Sequence, residues 1–183
     1  MVLLSGERII LREHTLDDLA AVLGYASDPV VARYVPWEPN TEKMAGSFIE
    51  DAIATASREP RASYVLAIVE RASDDLIGAA RIAIDTKTPG CADIGYVLRQ
   101  DRWHRGFAGE TARMLVDFGF RDLDVNRIWA TSHPENHASS RVLETAGMSY
   151  EGRIRGHMFV KGAWRDSLAF AVLRPDWLGA SGA

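Results

Sequence analysis

A basic, glycine-containing turn between two patterned segments constrains this chain more than any other feature. Residues 93–98 predict a strand, and residues 110–120 continue a helical pattern. Residues 102–110, with the sequence RWHRGFAGE, lie between them. Gly106 and Gly109 allow the backbone to come close to a ligand, and the unpaired N–H groups of a helix N-terminus favour phosphate. A strand that runs into such a turn predicts a diphosphate-binding cradle.

The common phosphate-binding motifs do not fit this turn. A P-loop ends in Gly-Lys-Ser or Gly-Lys-Thr, and a dinucleotide fingerprint needs G-x-G-x-x-G, whereas the turn offers only G-x-x-G. Arg102, His104 and Arg105 still add charge that suits an anion. The alternative is that Gly106 does no more than cap a loop.

Composition limits the class of protein. A chain of 183 residues is long enough for one domain with a sizeable core, which we place at residues 1–183. Cys91 is the only cysteine, so we expect a strand residue and a reducing, cytoplasmic location. Apolar runs are too short for a membrane span, and the N-terminus lacks the features of a signal peptide. The five histidines show no metal-ligand spacing, so no metal is expected.

Charge is distributed unevenly along the chain. The net charge of −4 argues against nucleic-acid binding. Residues 1–60 hold five basic and ten acidic side chains, whereas residues 99–165 hold eleven basic and eight acidic ones. The basic half contains the turn. The acidic half either attracts a cationic partner or is an ordinary solvated surface.

The remaining patterns predict a mixed α/β domain. Predicted strands cover residues 7–12, 64–70, 76–84, 91–98, 127–131, 150–160 and 165–173. Predicted helices begin at the cap residues Thr15, Asp28 and Asn40/Thr41, and two more cover residues 107–121 and 137–146. A rigid loop at residues 36–39 carries Trp37.

This order of elements resembles the GNAT family of acetyl-CoA-dependent N-acetyltransferases. Residues 103–108, WHRGFA, match the family's Q/R-x-x-G-x-G/A signature except at Trp103. That departure resembles the RimJ/RimL branch, which acetylates protein N-termini. Residues 133–148, HPENHASSRVLETAGM, resemble the branch's N-x-x-S…G-F pattern, with Met148 in place of Phe. Residues 10–18 and the Trp37 loop extend the match over nearly the whole chain.

The resemblance implies a central, mostly antiparallel twisted sheet flanked by helices, with acetyl-CoA as co-substrate. It assigns cofactor binding to Val97, Leu98, Arg99, His104, Arg105, Gly106, Phe107, Ala108, Gly109, Asn136 and Ser139. Backbone N–H groups of residues 104–109 would hold the pyrophosphate, and that of Val97 or Leu98 would polarise the thioester. Asn136 would bind the pantetheine arm; the alternative is a helix N-cap.

Catalysis would need a base and an acid. Asp93 is the first candidate for the base, directly or through water, and the alternative is a carboxylate paired with an arginine. Glu13 and Glu38 are weaker candidates for the base or for binding an incoming ammonium. With Trp37, they form the predicted acceptor region.

The usual acid of the family is absent. A tyrosine stands four residues before the helix-ending glycine in many members, and Leu143 occupies that position here. Ser139 would replace it, unless it is only a helix-surface hydroxyl. Tyr96 and Tyr150 are assigned to packing.

The resemblance therefore predicts an N-acetyltransferase of protein or peptide N-termini, as for ribosomal proteins. An α-amine also loses its proton more readily at neutral pH than a lysine-type amine. Acetylation of an antibiotic or polyamine, and a non-catalytic CoA-binding regulator, remain alternatives. The acceptor, and whether the chain forms a homodimer, stay open.

Overall fold

The computed structural model describes residues 1–181, which form eight strands and six helices. The strands are β1 (Leu3–Ser5), β2 (Ile9–Glu13), β3 (Ser63–Glu70), β4 (Leu76–Ile84), β5 (Cys91–Leu98), β6 (Arg127–Ser132), β7 (Ser149–Val160) and β8 (Ala163–Leu173). The helices are α1 (Leu19–Ala26), α2 (Pro29–Ala32), α3 (Glu42–Ala56), α4 (Phe107–Arg121), α5 (His137–Thr145) and α6 (Arg174–Ser181). Short 3₁₀ turns at Leu16–Asp18 and Gln100–Arg102 precede α1 and the glycine turn.

The described strands form one sheet in the order β1-β2-β3-β4-β5-β6-β8-β7. Among residues 1–181, β5 and β6 are the only parallel neighbours. The expected mixed α/β fold with a mostly antiparallel sheet is confirmed. Within the same residues, no helix is both long and apolar enough to cross a membrane.

Helices cover both faces of the sheet. On one face, Phe107 and Leu115 of α4 pack against Ile82 and Ile128. On the other, α1 and α3 cover the sheet with residues that include Val22 and Ile49. Side chains alternate between the faces along each strand, so successive residues of β5 serve different cores.

Two elements were not predicted from the sequence, β1 and α6. With three residues, β1 is too short to show a period-two pattern. Helix α6 starts at Arg174-Pro175, directly after β8, and its apolar residues form only a weak stripe. The first predicted strand, residues 7–12, corresponds to β2, which begins two residues later.

Candidate active site

Strands β5 and β6 separate after a short paired stretch. They pair only from Cys91↔Arg127 to Asp93↔Trp129 within the described chain. Beyond Asp93, β5 continues beside β4, while β6 continues beside β8. The divergence leaves a wedge-shaped opening between the two strands, which we call the gap.

Backbone groups of β5 point into the gap at every second residue. The N–H of Arg99 donates to the carbonyl of Ile77 at 2.8 Å, and the register with β4 is unbroken from Ala92 to Leu98. Because hydrogen bonding alternates along an antiparallel pair, Val97 directs its N–H to β4, and Tyr96 and Leu98 direct theirs into the gap. Of the two amides predicted to polarise a thioester, only Leu98 thus has the required direction.

The turn at residues 102–110 has the conformation that its glycines suggested. His104 and Gly106 have φ angles of 58° and 83°. Helix α4 begins at Phe107, and no side chain caps it. Residues 104–106 are exposed. Because the first N–H groups of a helix lack partners within it, the turn presents free donors to solvent.

A buried carboxylate holds this turn from behind. Glu110 accepts hydrogen bonds from the backbone N–H of Arg8 at 2.8 Å and from its Nε at 3.1 Å. Arg8 Nη1 in turn donates to the carbonyl of Arg105 at 2.8 Å. Sequence reasoning missed this pair, because residues 8 and 110 are far apart in the chain. Glu110 is the last residue of the segment that was predicted to form the cradle. Its hydrogen bonds link α4 to the start of β2.

Arginines around the turn differ in their partners. Arg102 forms ion pairs with Glu70 at 3.0 Å and Asp75 at 3.2 Å, so its charge is largely neutralised. This pairing opposes the prediction that Arg102 adds positive charge for a bound anion. Arg99 pairs with Asp101 at 2.6 Å. The exposed Arg105 forms no ion pair within residues 1–181, and it is the basic side chain left free at the turn.

A cavity of about 630 Å³ reaches through the gap. Among the predicted site residues, its lining includes Trp37, Asp93, Val97, Asn136 and Ser139. The cavity connects the α5 side of the sheet with the side covered by α1 and α3.

The two predicted acceptor carboxylates lie outside this lining. Glu13 is bound by Arg61 at 2.7 Å and by the N–H of Val2 at 3.0 Å, and Arg61 and this N–H hold its pKa below the usual range. Glu38 is exposed to solvent. Their positions give no support to the predicted role of either in binding an ammonium.

Asp93 lines the cavity next to a basic partner. It forms an ion pair with Arg81 of β4, the arrangement considered above as the alternative to a base. Burial raises the pKa of Asp93, helped by Asp85 and opposed by Arg81. Burial makes Asp93 a stronger base than an exposed aspartate, although Arg81 stabilises its ionised form.

Ser139 faces a tyrosine across the gap. Its Oγ lies 3.1 Å from the hydroxyl of Tyr96, and burial raises the pKa of Tyr96 to about 12. Tyr96 packs against the core, as predicted, and it also lines the cavity. Its hydroxyl is protonated at neutral pH and is a second candidate acid, although the raised pKa makes it a weaker acid than an exposed tyrosine. Tyr150 is exposed, and its ring lies 5.5 Å from that of Phe170 in a tilted arrangement.

Asn136 caps α5, since its Oδ1 accepts a hydrogen bond from the N–H of Ser139 at 3.1 Å. The alternative considered from the sequence is therefore present. The cap uses only the oxygen of the amide, which leaves the Nδ2 donor for a ligand in the cavity. The cap also fixes the position of Ser139 at the start of the helix.

One side of the cavity, which we call the outer wall, consists of Tyr34, Trp37, His133 and Arg165, all of which line the cavity. Of these four residues, the sequence predicted only Trp37. The rings of Tyr34 and His133 lie 5.0 Å apart. Arg165 Nη1 donates to the carbonyl of Tyr34 at 2.9 Å. No cluster of three or more potential metal-ligating side chains occurs in residues 1–181.

Comparisons with known proteins agree with this geometry. The acetyltransferase (GNAT) domain family matches residues 8–149. The uncharacterised N-acetyltransferase p20 of Bacillus licheniformis is 32% identical over 179 residues, which cover 98% of this chain and 100% of that protein. The ribosomal protein uS5-alanine N-acetyltransferase of Escherichia coli is 22% identical, with 96% and 93% covered.

A solved structure supports the same assignment. Mycobacterium smegmatis RimJ in complex with CoA-disulfide has a TM-score of 0.80 and 26% identity to this chain. The match covers 95% of this chain and 89% of that one. Because the family match spans most of the chain and these relatives align nearly end to end, this chain belongs to the GNAT family of acetyltransferases.

Proposed function

We propose that this N-acetyltransferase transfers the acetyl group of acetyl-CoA to the α-amine of a protein or peptide. The observation that carries the proposal is the cavity through the gap, which is lined by Asp93 and by Tyr96, whose N–H is directed into the gap; Leu98 follows just outside the lining. The relationship to the uS5-alanine N-acetyltransferase supports an α-amine as the acceptor.

The chain offers donors that fit the charged and polar parts of acetyl-CoA. The uncapped start of α4 and Arg105 would hold the pyrophosphate. The N–H groups of Tyr96 and Leu98 would pair with the pantetheine arm as an added strand would, and Asn136 Nδ2 would donate to it. Acetyl-CoA supplies an activated acetyl thioester, and the Leu98 N–H is the candidate donor to its carbonyl oxygen.

Among the candidate acceptors, an α-amine has the lowest free-energy cost of deprotonation at neutral pH. Only the neutral amine attacks the thioester, and deprotonation at pH 7 costs roughly 1 kcal/mol for an α-amine but about 4 for a lysine-type amine. Asp93 would accept the proton, directly or through water. The burial that raises the pKa of Asp93 favours this role.

Tyr96 and Ser139 are the candidates for returning a proton to the leaving thiolate. Their hydroxyls lie 3.1 Å apart at the gap, and either can be the donor. A shared hydrogen bond lets one hydroxyl release a proton while the other replaces it.

The test is release of the free CoA thiol when the protein is mixed with acetyl-CoA and single acceptors. We expect peptides with free N-termini to react faster than the same peptides with a blocked N-terminus and a lysine side chain. Faster reaction of lysine, polyamine or aminoglycoside amines would contradict the α-amine assignment. Thiol release no faster than without acceptor, for every amine, would favour a CoA-binding regulator. The cytoplasmic location and a homodimer stay predictions.

A further inference from the structure

Arg165 is a partly buried cation without a counterion. Burial lowers its pKa, and no carboxylate of residues 1–181 offsets this effect. Its partners are the carbonyl of Tyr34 at 2.9 Å and the sulfur of Met158 at 3.3 Å. Its Nε is buried and has no hydrogen-bond partner in the described chain. Arg81, which also lines the cavity, differs because it is paired with Asp93.

The guanidinium of Arg165 belongs to the outer wall of the cavity. Tyr34, whose carbonyl it binds, belongs to the segment that follows α2, on the face covered by α1 and α3. Arg165 also contributes to the lowered pKa of His133, although burial is the larger cause there. The turn that would hold pyrophosphate follows β5, whereas Arg165 lies on β8.

Other groups in this region also lack partners or bring positive charge. Trp37 Nε1 is a second buried donor without a partner among residues 1–181. Lys161 Nζ donates to the carbonyl of Ala32 at 2.6 Å and forms no ion pair within the same residues. Arg33 stacks on the ring of Tyr34, with its Cζ 5.0 Å from the ring centroid. Arg165 is the cation of the outer wall itself, whereas Arg33 and Lys161 adjoin it outside the lining, and Glu135 acts on His133 with the opposite charge.

A buried charge is costly unless it is paired, and guanidinium binds carboxylates particularly well. We infer that the acceptor carries a carboxylate, which Arg165 binds while the α-amine faces Asp93. This inference rests on the proposed transfer to an α-amine. It selects amino acids, or peptides with an acidic residue near the N-terminus, and it disfavours polyamines and aminoglycosides.

Matched acceptors test the inference on the unaltered protein. One pair is serine and serinamide; the other is an amidated peptide with aspartate at position two and its asparagine counterpart. We expect kcat/KM, expressed per neutral amine because serinamide loses its proton more readily than serine, to be at least about tenfold higher for one carboxylate-bearing member, since a charge-assisted hydrogen bond is lost in its partner. Preference in the first pair alone identifies a free amino acid, and preference in the second identifies an acidic peptide. Reaction at equal rates within both pairs would overturn the inference and leave the α-amine proposal intact.

Arg165→Gln should reduce that preference to about one. Its affinity for CoA should stay unchanged, since the residue is assigned to the acceptor. Arg58→Gln, an exposed arginine outside the cavity lining, is the matched control and should keep the preference. A retained preference in Arg165→Gln, or a loss of CoA affinity in the folded variant, would contradict the assignment.

A binding measurement keeps the test independent of catalysis. Succinate, compared with chloride at equal ionic strength, should raise the midpoint of thermal unfolding of the protein by about 2 °C or more. The rise should be absent in Arg165→Gln and present in Arg58→Gln. An equal response of all three proteins would overturn the inference even if no acceptor is acetylated.

Discussion

The two ends of the candidate site are built in different ways. The donor end consists of the gap, which the cavity enters, and of the turn at residues 102–110, which lies outside the cavity lining; it offers mainly backbone N–H groups. The outer wall offers side chains that come from three separate parts of the chain. A backbone site needs only a glycine and a helix start close in sequence, whereas a side-chain site depends on how distant segments meet. The donor end can therefore keep a short signature while the outer wall varies with the acceptor.

The largest effect should come from blocking the backbone site. Gly106→Trp places an indole in the turn at a φ of 83°, a conformation that side chains rarely adopt. We expect CoA affinity to fall by more than about a hundredfold, because several charge-assisted hydrogen bonds are lost together. Titration calorimetry with CoA measures it. Gly162→Trp, at a φ of 75° in the exposed turn between β7 and β8, should bind normally. Normal affinity in a folded Gly106→Trp protein would disprove the cradle.

Asp93→Asn tests the point where the two ends meet. We expect turnover to fall by roughly a hundredfold, as for loss of a general base. A base acts when ionised, so kcat/KM of the parent, expressed per neutral amine of the acceptor, should fall as the pH drops through the pKa of Asp93, which burial raises. This acidic limb should disappear in the variant. Asp51→Asn, at an exposed position of α3 outside the cavity lining, is the control. A pH profile identical to that of the parent would exclude Asp93 as the titrating group.

The side chains behind the donor end should matter for stability. Glu110→Ala leaves the backbone N–H groups of Arg8 and Ile9 without their acceptor. We expect a loss of about 2 kcal/mol in the free energy of unfolding, roughly thirtyfold in the equilibrium. Urea denaturation measures it, with the exposed Glu144→Ala as the control. Unchanged stability would mean that the turn does not depend on this support.

The smallest expected effect concerns the two hydroxyls. Ser139→Ala should lower turnover by about tenfold and CoA affinity much less, if the pair donates a proton. Tyr96→Phe should lower turnover by a similar factor. The double variant should turn over no more slowly than the less active of the two single variants, because the hydroxyls act as a unit. Single-turnover kinetics with all three variants measure this coupling. Additive losses, or unchanged turnover after Ser139→Ala, would remove the shared hydrogen bond from the chemistry.

Sequence patterns predicted the donor end in detail. The bounds of β5 and α4 agree with prediction, and so does the start of α5 after Asn136. Local propensity and helix capping decide these features within a few residues. The ion pairs could not be predicted from the sequence. Arg81 and Asp93 meet only because β4 and β5 pair. Arg8 and Glu110 meet only because α4 packs near β2. The contact of Tyr96 with Ser139 was missed for the same reason, since the two residues lie 43 positions apart in the chain.

The sequence by itself determined the class of chemistry. The strand, the basic glycine turn and the helix start predicted an anion cradle, because a backbone anion site is encoded locally. The resemblance of this turn and of the Asn136 segment to the GNAT family then predicted a CoA-dependent acetyltransferase. The tertiary structure alone decided the character of the outer wall. Arg165 remains unpaired within residues 1–181 because β8 places it beside Tyr34 rather than beside a carboxylate, and no local pattern records which charges meet across a fold.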